Sequence, residues 1–358
     1  MERNAEGFLV ANVDQERCIR CGKCDGVCPA QGSAHVAAEM AYLLQSYDKQ
    51  LRENSSSGGA FSMLAVDVIS RGGVVFGCAM DEDCYGAHHI AVDNLTDLQK
   101  LRGSKYIQSD VGNSFAQAKQ ALDAGKWVLF SGTPCQIVGL RGFLGKKEYE
   151  KLLCVDFICH GVASPWVWKK YLQELEQAYG SKAQRVNFRD KHIDWVNFSL
   201  SCAFANGEMY CRPVTEDPFL RGFVANLYLC NSCYRCECKG KGYASDITLA
   251  DFWGVEQVVP QVADGRGTSL AIAHTKKGQD LLLSAQENGI VQQVQMDQAL
   301  RKNRSYYTSV PMNPLRRQAL RHLRKRSAHS VIEKFCGTSL MSKVRRKSAS
   351  IFYGFLKR

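Results

Sequence analysis

The sequence predicts a mixed α/β protein with three parts: a cysteine-rich cap over residues 1–34, an α/β body over 35–300 and a basic tail over 301–358. Three observations predict it. Short apolar runs alternate with helical stretches through the middle of the chain, the pattern of a sheet covered by helices, whose chemistry sits on loops beyond the strand ends. Four of the 16 cysteines crowd between Cys18 and Cys28. The net charge of +11 is uneven: residues 301–358 hold 16 Lys or Arg against one acid, Glu333, or +15, so the first 300 residues carry 11 − 15 = −4.

Each element has its own signal. Helical character is expected from about His35 to Arg52. The run Asn54 to Gly59 reads as a loop opening a helix, Ala60 to Ser70, which Arg71-Gly72-Gly73 closes, since glycine suits the left-handed position after a helix. Val74 to Cys78 is a short apolar run and is assigned as a buried strand. The pattern repeats as a helix from Val111 to Ala124, a strand from Trp127 to Phe130 and the loop Ser131 to Gln136. A further strand, Leu152 to Ile158, enters the loop Cys159-His160-Gly161, and a helix from Trp166 to Tyr179 follows. Alternation between Val186 and Tyr210 predicts antiparallel strands.

Composition narrows the class. At 358 residues, 45% hydrophobic and 23% charged, the chain has the make-up of an ordinary globular protein. It has no apolar run of spanning length and no secretory h-region, so a cytoplasmic location is expected. In a reducing cytosol close-spaced cysteines hold metal more often than disulfides. Cys18-x2-Cys21-x2-Cys24-x3-Cys28-Pro29 follows the spacing by which bacterial ferredoxins wrap a 4Fe–4S cubane. Gly22 and Gly26 let the backbone pass close to the cluster. Only one such run is present, and Cys28 either joins this cluster or serves another, as the fourth cysteine does in two-cluster ferredoxins. The chain reads as beginning in the middle of a ferredoxin-type domain.

Between Ser56 and Gly278 a series of motifs resembles the beta subunits of coenzyme F-420 hydrogenase/dehydrogenase. In order they are Ser56-Ser57-Gly58-Gly59-Ala60-Phe61, Gly103-Ser104-Lys105-Tyr106-Ile107-Gln108-Ser109, Phe130 to Gln136, Asp156 to Gly161, Phe188-Arg189-Asp190-Lys191, Cys233-Tyr234-Arg235-Cys236 and Ser245 to Gly254. The resemblance implies FAD, one or two 4Fe–4S clusters and hydride or electron transfer, on a ferredoxin-like cap joined to a flavin-binding body. On it Ser57, Gly58, Gly59, Ser104, Lys105, Tyr106 and Gln108 are the candidate cofactor residues. Ser57-Gly58-Gly59 before a helix can offer backbone N–H groups to a pyrophosphate, Lys105 can offset phosphate or a reduced flavin, and Tyr106 can stack on the ring. The absence of G-x-G-x-x-G excludes the Rossmann fingerprint.

The resemblance matches Cys233 and Cys236, and Cys135 and Cys159 lie on strand-end loops that could converge with them. These four are the candidate ligands of a second cluster. A zinc knot of Cys230, Cys233, Cys236 and Cys238 is the alternative, since such thiolate sets serve both. Cys78, Cys84, Cys154, Cys202, Cys211 and Cys336 are assigned to packing. His160 is the candidate proton donor, with a structural role as its alternative.

Leu315 to Arg326 forms a basic amphipathic segment with Leu320 and Leu323 on one face, and Val344 to Arg358 adds base and aromatics; contact with an anionic membrane surface is the functional alternative to a solvated tail. No nucleic-acid-binding fold accompanies the charge. The expected function is an iron–sulfur flavoprotein oxidoreductase exchanging electrons with ferredoxin or other subunits and hydride with a small molecule, either the deazaflavin coenzyme or another organic acceptor. The alternatives are an electron-transfer subunit without a substrate site and a zinc-stabilised binding protein.

Overall fold

The computed structural model describes residues 1–28, 39–145, 147–240 and 244–337. Thirteen strands occur among them: β1 (Glu2–Arg3), β2 (Leu9–Val10), β3 (Met40–Ser46), β4 (Val74–Met80), β5 (Ala87–Val92), β6 (Val128–Ser131), β7 (Leu152–Phe157), β8 (Ala183–Asp190), β9 (Ser199–Phe204), β10 (Met209–Pro213), β11 (Ile247–Asp251), β12 (Ser269–Ala273) and β13 (Gly289–Val294). Eight of these make the main sheet, in the order β13-β3-β12-β11-β7-β6-β4-β5. Its centre, β4-β6-β7-β11, is parallel; β5 on one side and β12, β3 and β13 on the other are antiparallel. The mixed α/β class is therefore observed, with the parallel core buried under helices on both faces as its apolar strands require.

One face of the sheet packs Met63, Leu64 and Val68 of the helix Ala60–Ser70 together with Leu281 and Leu282 of the helix Lys276–Ser284. The other packs Ala118 and Leu122 of the helix Ser114–Asp123 with Ile137, Leu140 and Leu144 of the helix Pro134–Leu144. A second core lies beside the sheet. There the antiparallel β8-β9-β10 sheet buries Leu200, Cys202 and Phe204 against Trp168 and Tyr171 of the helix Pro165–Tyr179.

Two expectations change. The helix expected from His35 to Arg52 is instead the strand β3, an interior strand between β12 and β13, followed by a short helix, Lys49–Glu53; the part from His35 to Ala38 lies outside the described residues. Pairing on both edges and near-total burial of Ala41 to Ser46 outweigh the helical preference of Met, Ala, Leu and Gln. The amphipathic face near the C-terminus points inward. Leu320 and Leu323 of the helix Arg316–Leu323, with Val331, Ile332 and Phe335 of the helix Ala328–Cys336, complete the second core. The apolar face that suggested a membrane contact is already covered by protein, and Val344 to Arg358 lies outside the described residues. Among the described residues no helix is long and apolar enough to cross a membrane.

Candidate functional site

The loops leaving the carboxyl ends of the parallel strands β6 and β7 each carry a cysteine. After β6, Pro134 starts a helix whose first turn holds Cys135. The backbone N–H of Thr133 donates to Gln136 Oε1 at 2.9 Å and Gln136 Nε2 donates to Ser109 Oγ at 2.9 Å, which fixes that turn. Cys159 lies two residues beyond β7, and Ile158 N–H donates to Leu249 O at 2.9 Å. Gly161 follows with φ 145°; a Cβ there would lie 3.1 Å from Leu229 Cδ1 and 3.2 Å from Cys233 Cβ, so glycine lets this loop press against the third segment. That segment enters with Cys230 N–H donating to Val162 O at 3.0 Å, makes the 3-10 turn Asn231–Arg235, and is held beyond it by Cys236 N–H donating to Ser309 Oγ at 2.9 Å.

Cys135, Cys159 and Cys236 thus lie within electrostatic reach of one another, Cys233 reaches Cys159, and Cys238 reaches Cys135 and Cys236. Burial, then the neighbouring Cys135, pushes the Cys159 thiol up to about 12, with Lys239 and Cys236 as smaller and opposing influences. Protein crowded around the sulfur raises Cys135, although the residue keeps an exposed surface. Cys236 is lowered to about 6, chiefly because Cys238 donates to it, and Cys238 is raised accordingly. Cys230 is lowered to about 6 by Cys233 in the same way, which raises Cys233. Among the described residues no group of three His, Cys, Asp or Glu side chains is drawn together tightly enough to hold a metal ion. The thiols are near neighbours, not a closed ligand sphere. Their donor chemistry fits a soft metal centre, which displaces protons that burial and mutual repulsion otherwise retain. The four expected ligands are brought together here; Cys238, buried at 6% exposure, is a fifth member that the motif did not single out. Cys230 stands at the edge.

In the N-terminal run Cys18, Cys21 and Cys24 are exposed and line one open cavity of about 510 Å³ together with Ile19, Gly22 and Asp25. Cys28 is half-buried and does not line it. Positive φ angles at Arg20 (55°) and Gly22 (68°) curl the loop so that the three thiols share that cavity. Val27 rests on the helix Pro134–Leu144 at Gly142, where an added Cβ would come within 3.1 Å of its own Cβ. The cysteines assigned to packing, Cys84, Cys154, Cys202 and Cys336, are buried; Cys78 and Cys211 are partly so.

The Ser56–Gly59 loop is tied to two neighbours. Ser104 N–H donates to Ser56 Oγ at 2.9 Å and their hydroxyls lie 3.0 Å apart. Ser57 Oγ donates to Thr268 O, and Gly58 N–H donates to Ser269 Oγ, both at 2.9 Å. The Gly58 N–H is therefore engaged by β12 and not free for a phosphate; its lack of a Cβ is explained by Leu44 O, which an added Cβ would approach to 2.2 Å. Lys105 turns its amine to the carbonyls of Lys100, Leu101 and Arg102, closing the helix Leu95–Leu101, and burial lowers it to about 8. Gln108 clamps Leu9 of β2 through both its amide groups. Of the candidate cofactor residues, Ser57, Gly58, Gly59 and Ser104 are gathered together. Tyr106 joins them through Arg189, while Lys105 and Gln108 are turned to structural partners.

Sequence reasoning missed the cations around this loop. Lys191 donates to Ser57 O at 2.7 Å and Arg266 O at 2.8 Å. Arg189, 5% exposed, lies between Phe198 and Trp253, pairs with Asp251 at 2.9 Å and leaves its Nε without a partner. The signal was present in Phe188-Arg189-Asp190, a charge set at an inward position of an alternating strand. The two regions are joined by rings: Tyr106 stacks on Phe223 at 4.6 Å, and Phe223 meets His160 at 5.0 Å. His160 Nε2 lies 2.7 Å from Asn226 Oδ1, and burial lowers its basicity.

This is the layout of an α/β protein with a thiol-rich centre at the strand ends and a hydroxyl- and cation-lined loop beside it. Residues 125–299 belong to the family described as the carboxyl-terminal part of the coenzyme F420 hydrogenase/dehydrogenase beta subunit, a family of oxidoreductase subunits. No curated protein matches the chain. Among solved structures it is similar to a chain of the xenon-derivatised F420-reducing [NiFe] hydrogenase complex from Methanosarcina barkeri, with 16% identity, a TM-score of 0.49, and coverage of 86% of this chain and 94% of that one.

Proposed function

We propose that this chain is an iron–sulfur flavoprotein oxidoreductase that moves electrons between 4Fe–4S clusters and FAD and exchanges hydride with a small organic acceptor, the deazaflavin coenzyme or another. The observation that carries it is the junction of the two regions: five thiols at the ends of β6 and β7 reach the Ser56–Ser104 loop through His160, Phe223 and Tyr106. Flavin, when bound, supplies hydride chemistry on one side and single-electron chemistry on the other. Ser56, Ser57 and Ser104 would hold its polar parts by hydroxyl groups. Arg189 and Lys191 place positive charge where an anionic cofactor needs it, and the unpaired Arg189 Nε is a donor still to be satisfied. Cys135, Cys159, Cys233 and Cys236, with Cys238 as substitute, would hold one cluster; Cys18, Cys21 and Cys24, with Cys28, the other. Gly142, on which Val27 rests, is seven residues along the helix from Cys135, about 10 Å at the rise of an α-helix. His160 would lend its ring to the contact between the regions and is the available proton donor there. Ferredoxin or companion subunits are the proposed electron partners.

The test is iron, sulfide and flavin content of protein purified without oxygen. About eight irons per chain and releasable FAD are expected, from two four-iron clusters. Replacing Cys18, Cys21 and Cys24 by Ser should remove about half the iron, and replacing Cys135 and Cys159 the other half. Zinc with neither iron nor flavin, in protein never exposed to air, overturns the reading.

A further inference from the structure

One buried acid next to the thiol centre has no part in the function above. Asp156 is 1% exposed and lies in β7, three residues before Cys159. Its Oδ1 accepts from Thr248 Oγ1 at 2.5 Å, and its Oδ2 has no hydrogen-bond partner. Thr248 lies opposite it in the parallel pairing of β7 with β11. Thr248 Oγ1 is also 2.8 Å from Nε2 of His274, the residue after β12, itself 4% exposed. His274 Nδ1 stands 3.5 Å from Glu39 Oε1, just before β3, and Glu39 accepts from Tyr306 at 2.7 Å. The Glu39 side chain is 35% exposed. The four residues therefore cross four neighbouring strands, β7, β11, β12 and β3, from the interior to the surface.

We propose that Glu39, His274, Thr248 and Asp156 form a proton path that admits one proton to the floor of the thiol centre for each electron that arrives there. The inference rests on reading that centre as a redox site. Every link can donate in either direction: the imidazole has two nitrogens, and the threonine hydroxyl both donates and accepts. In the outward-facing arrangement protonated Asp156 donates to Thr248, Thr248 to His274 Nε2, and His274 Nδ1–H to Glu39. A proton entering runs the chain the other way, from His274 Nε2–H to Thr248 and from Thr248 to Asp156 Oδ1, and no heavy atom changes partner.

The surrounding charges set the direction. Asp246 faces Asp156 from the start of β11 and repels its anion, but is itself held by Arg141 at 3.2 Å and Lys277 at 3.5 Å. Ser245 is a second hydroxyl beside it, and the Cys154 and Cys238 thiols are in electrostatic range. No cation pairs with Asp156 directly. Burial first, then Asp246, raises its carboxyl to about 7, against the hydrogen bonds of Thr248 and Ser245. At the other end His274 and then Tyr306 hold Glu39 below its usual range, as an entry group in contact with solvent requires. Negative charge added at the thiols strengthens the hold of Asp156 on a proton.

Two measurements on the full chain test this. An infrared pH titration should show one buried carboxylic acid titrating near neutrality that disappears in Asp156→Asn, a readout independent of any bound group. Anaerobic potentiometry should then show the thiol-held centre losing about 59 mV per pH unit, a tenfold shift in equilibrium per unit, across that range in the wild type, and no pH dependence in Asp156→Asn. Thr248→Val, which keeps the acid and breaks the chain, should retain the slope but slow proton uptake after reduction about tenfold or more. It also serves if Asp156→Asn fails to fold. An iron-loaded protein whose potential ignores pH, or unchanged uptake in Thr248→Val, overturns the path alone. A protein that binds no iron overturns the path together with the redox reading.

Discussion

The carboxyl of Asp156 also leaves a mark on stability. The folded chain keeps it protonated up to about pH 7, whereas the unfolded chain releases that proton near the ordinary 3.8. Between those values the native state binds more protons than the unfolded state, so this residue makes stability fall as pH rises through the window, with the full penalty present above it. Asp156→Asn keeps an acceptor for Thr248 and removes the ionisation. The variant should therefore gain on the wild type between pH 5 and pH 8, by on the order of 1 kcal/mol or more. Urea unfolding of both proteins at the two pH values measures it, and an unchanged difference between them would mean that Asp156 ionises freely in the fold. At the same scale, Gly161 shows how one missing Cβ shapes the site. A side chain there would meet Leu229 and Cys233 and push the Cys159 loop off the segment that carries its neighbours.

At the scale of elements, the sequence was most legible where strand and helix have unmistakable residues. Val74 to Cys78 and Leu152 to Ile158 are apolar runs of strand length, and β4 and β7 are found there; the helix from Ala60 to Ser70 has glycines at both ends and is found with those limits. β3 was not legible, because Met-Ala-Tyr-Leu-Leu-Gln-Ser has no β-branched residue and only its pairing with β12 and β13 makes it a strand. The C-terminal helices were misread in function rather than in kind. A basic amphipathic helix looks the same whether its apolar face meets lipid or protein, and here Leu323 is fully buried in the second core. Leu323→Ala should consequently cost about 2–5 kcal/mol, the range for truncating a fully buried leucine. A loss within 0.5 kcal/mol in urea unfolding, the range of surface substitutions, would return that face to the solvent or a membrane.

Over the whole molecule the two ends of the described chain meet, and that contact supports the N-terminal thiols. The β1–β2 hairpin is clamped by Gln108 on Leu9, by Ser164 on the Glu6 carbonyl and by an ion pair between Glu6 and Arg316 at the start of the helix Arg316–Leu323. Arg316 also donates to Leu229 O at 2.9 Å, the residue before Cys230. One guanidinium thus touches the hairpin that leads to Cys18 and the segment that carries Cys230 to Cys238. The sequence separated these partners by 310 positions, and no local pattern could relate them, which is why the second cysteine set was legible as a motif but its neighbours were not. Arg316→Met keeps the apolar stem and removes the charge. Because the Glu6 side chain is 24% exposed, the loss should be about 1–3 kcal/mol, below the range for a fully buried pair. The effect should be unequal across the molecule. Hydrogen exchange of residues 2–10 should rise at least tenfold while β6 and β7 keep their protection, because the hairpin loses an anchor and the sheet does not. Equal acceleration in both would show Arg316 to be a general stabiliser of the second core, with no specific hold on the hairpin.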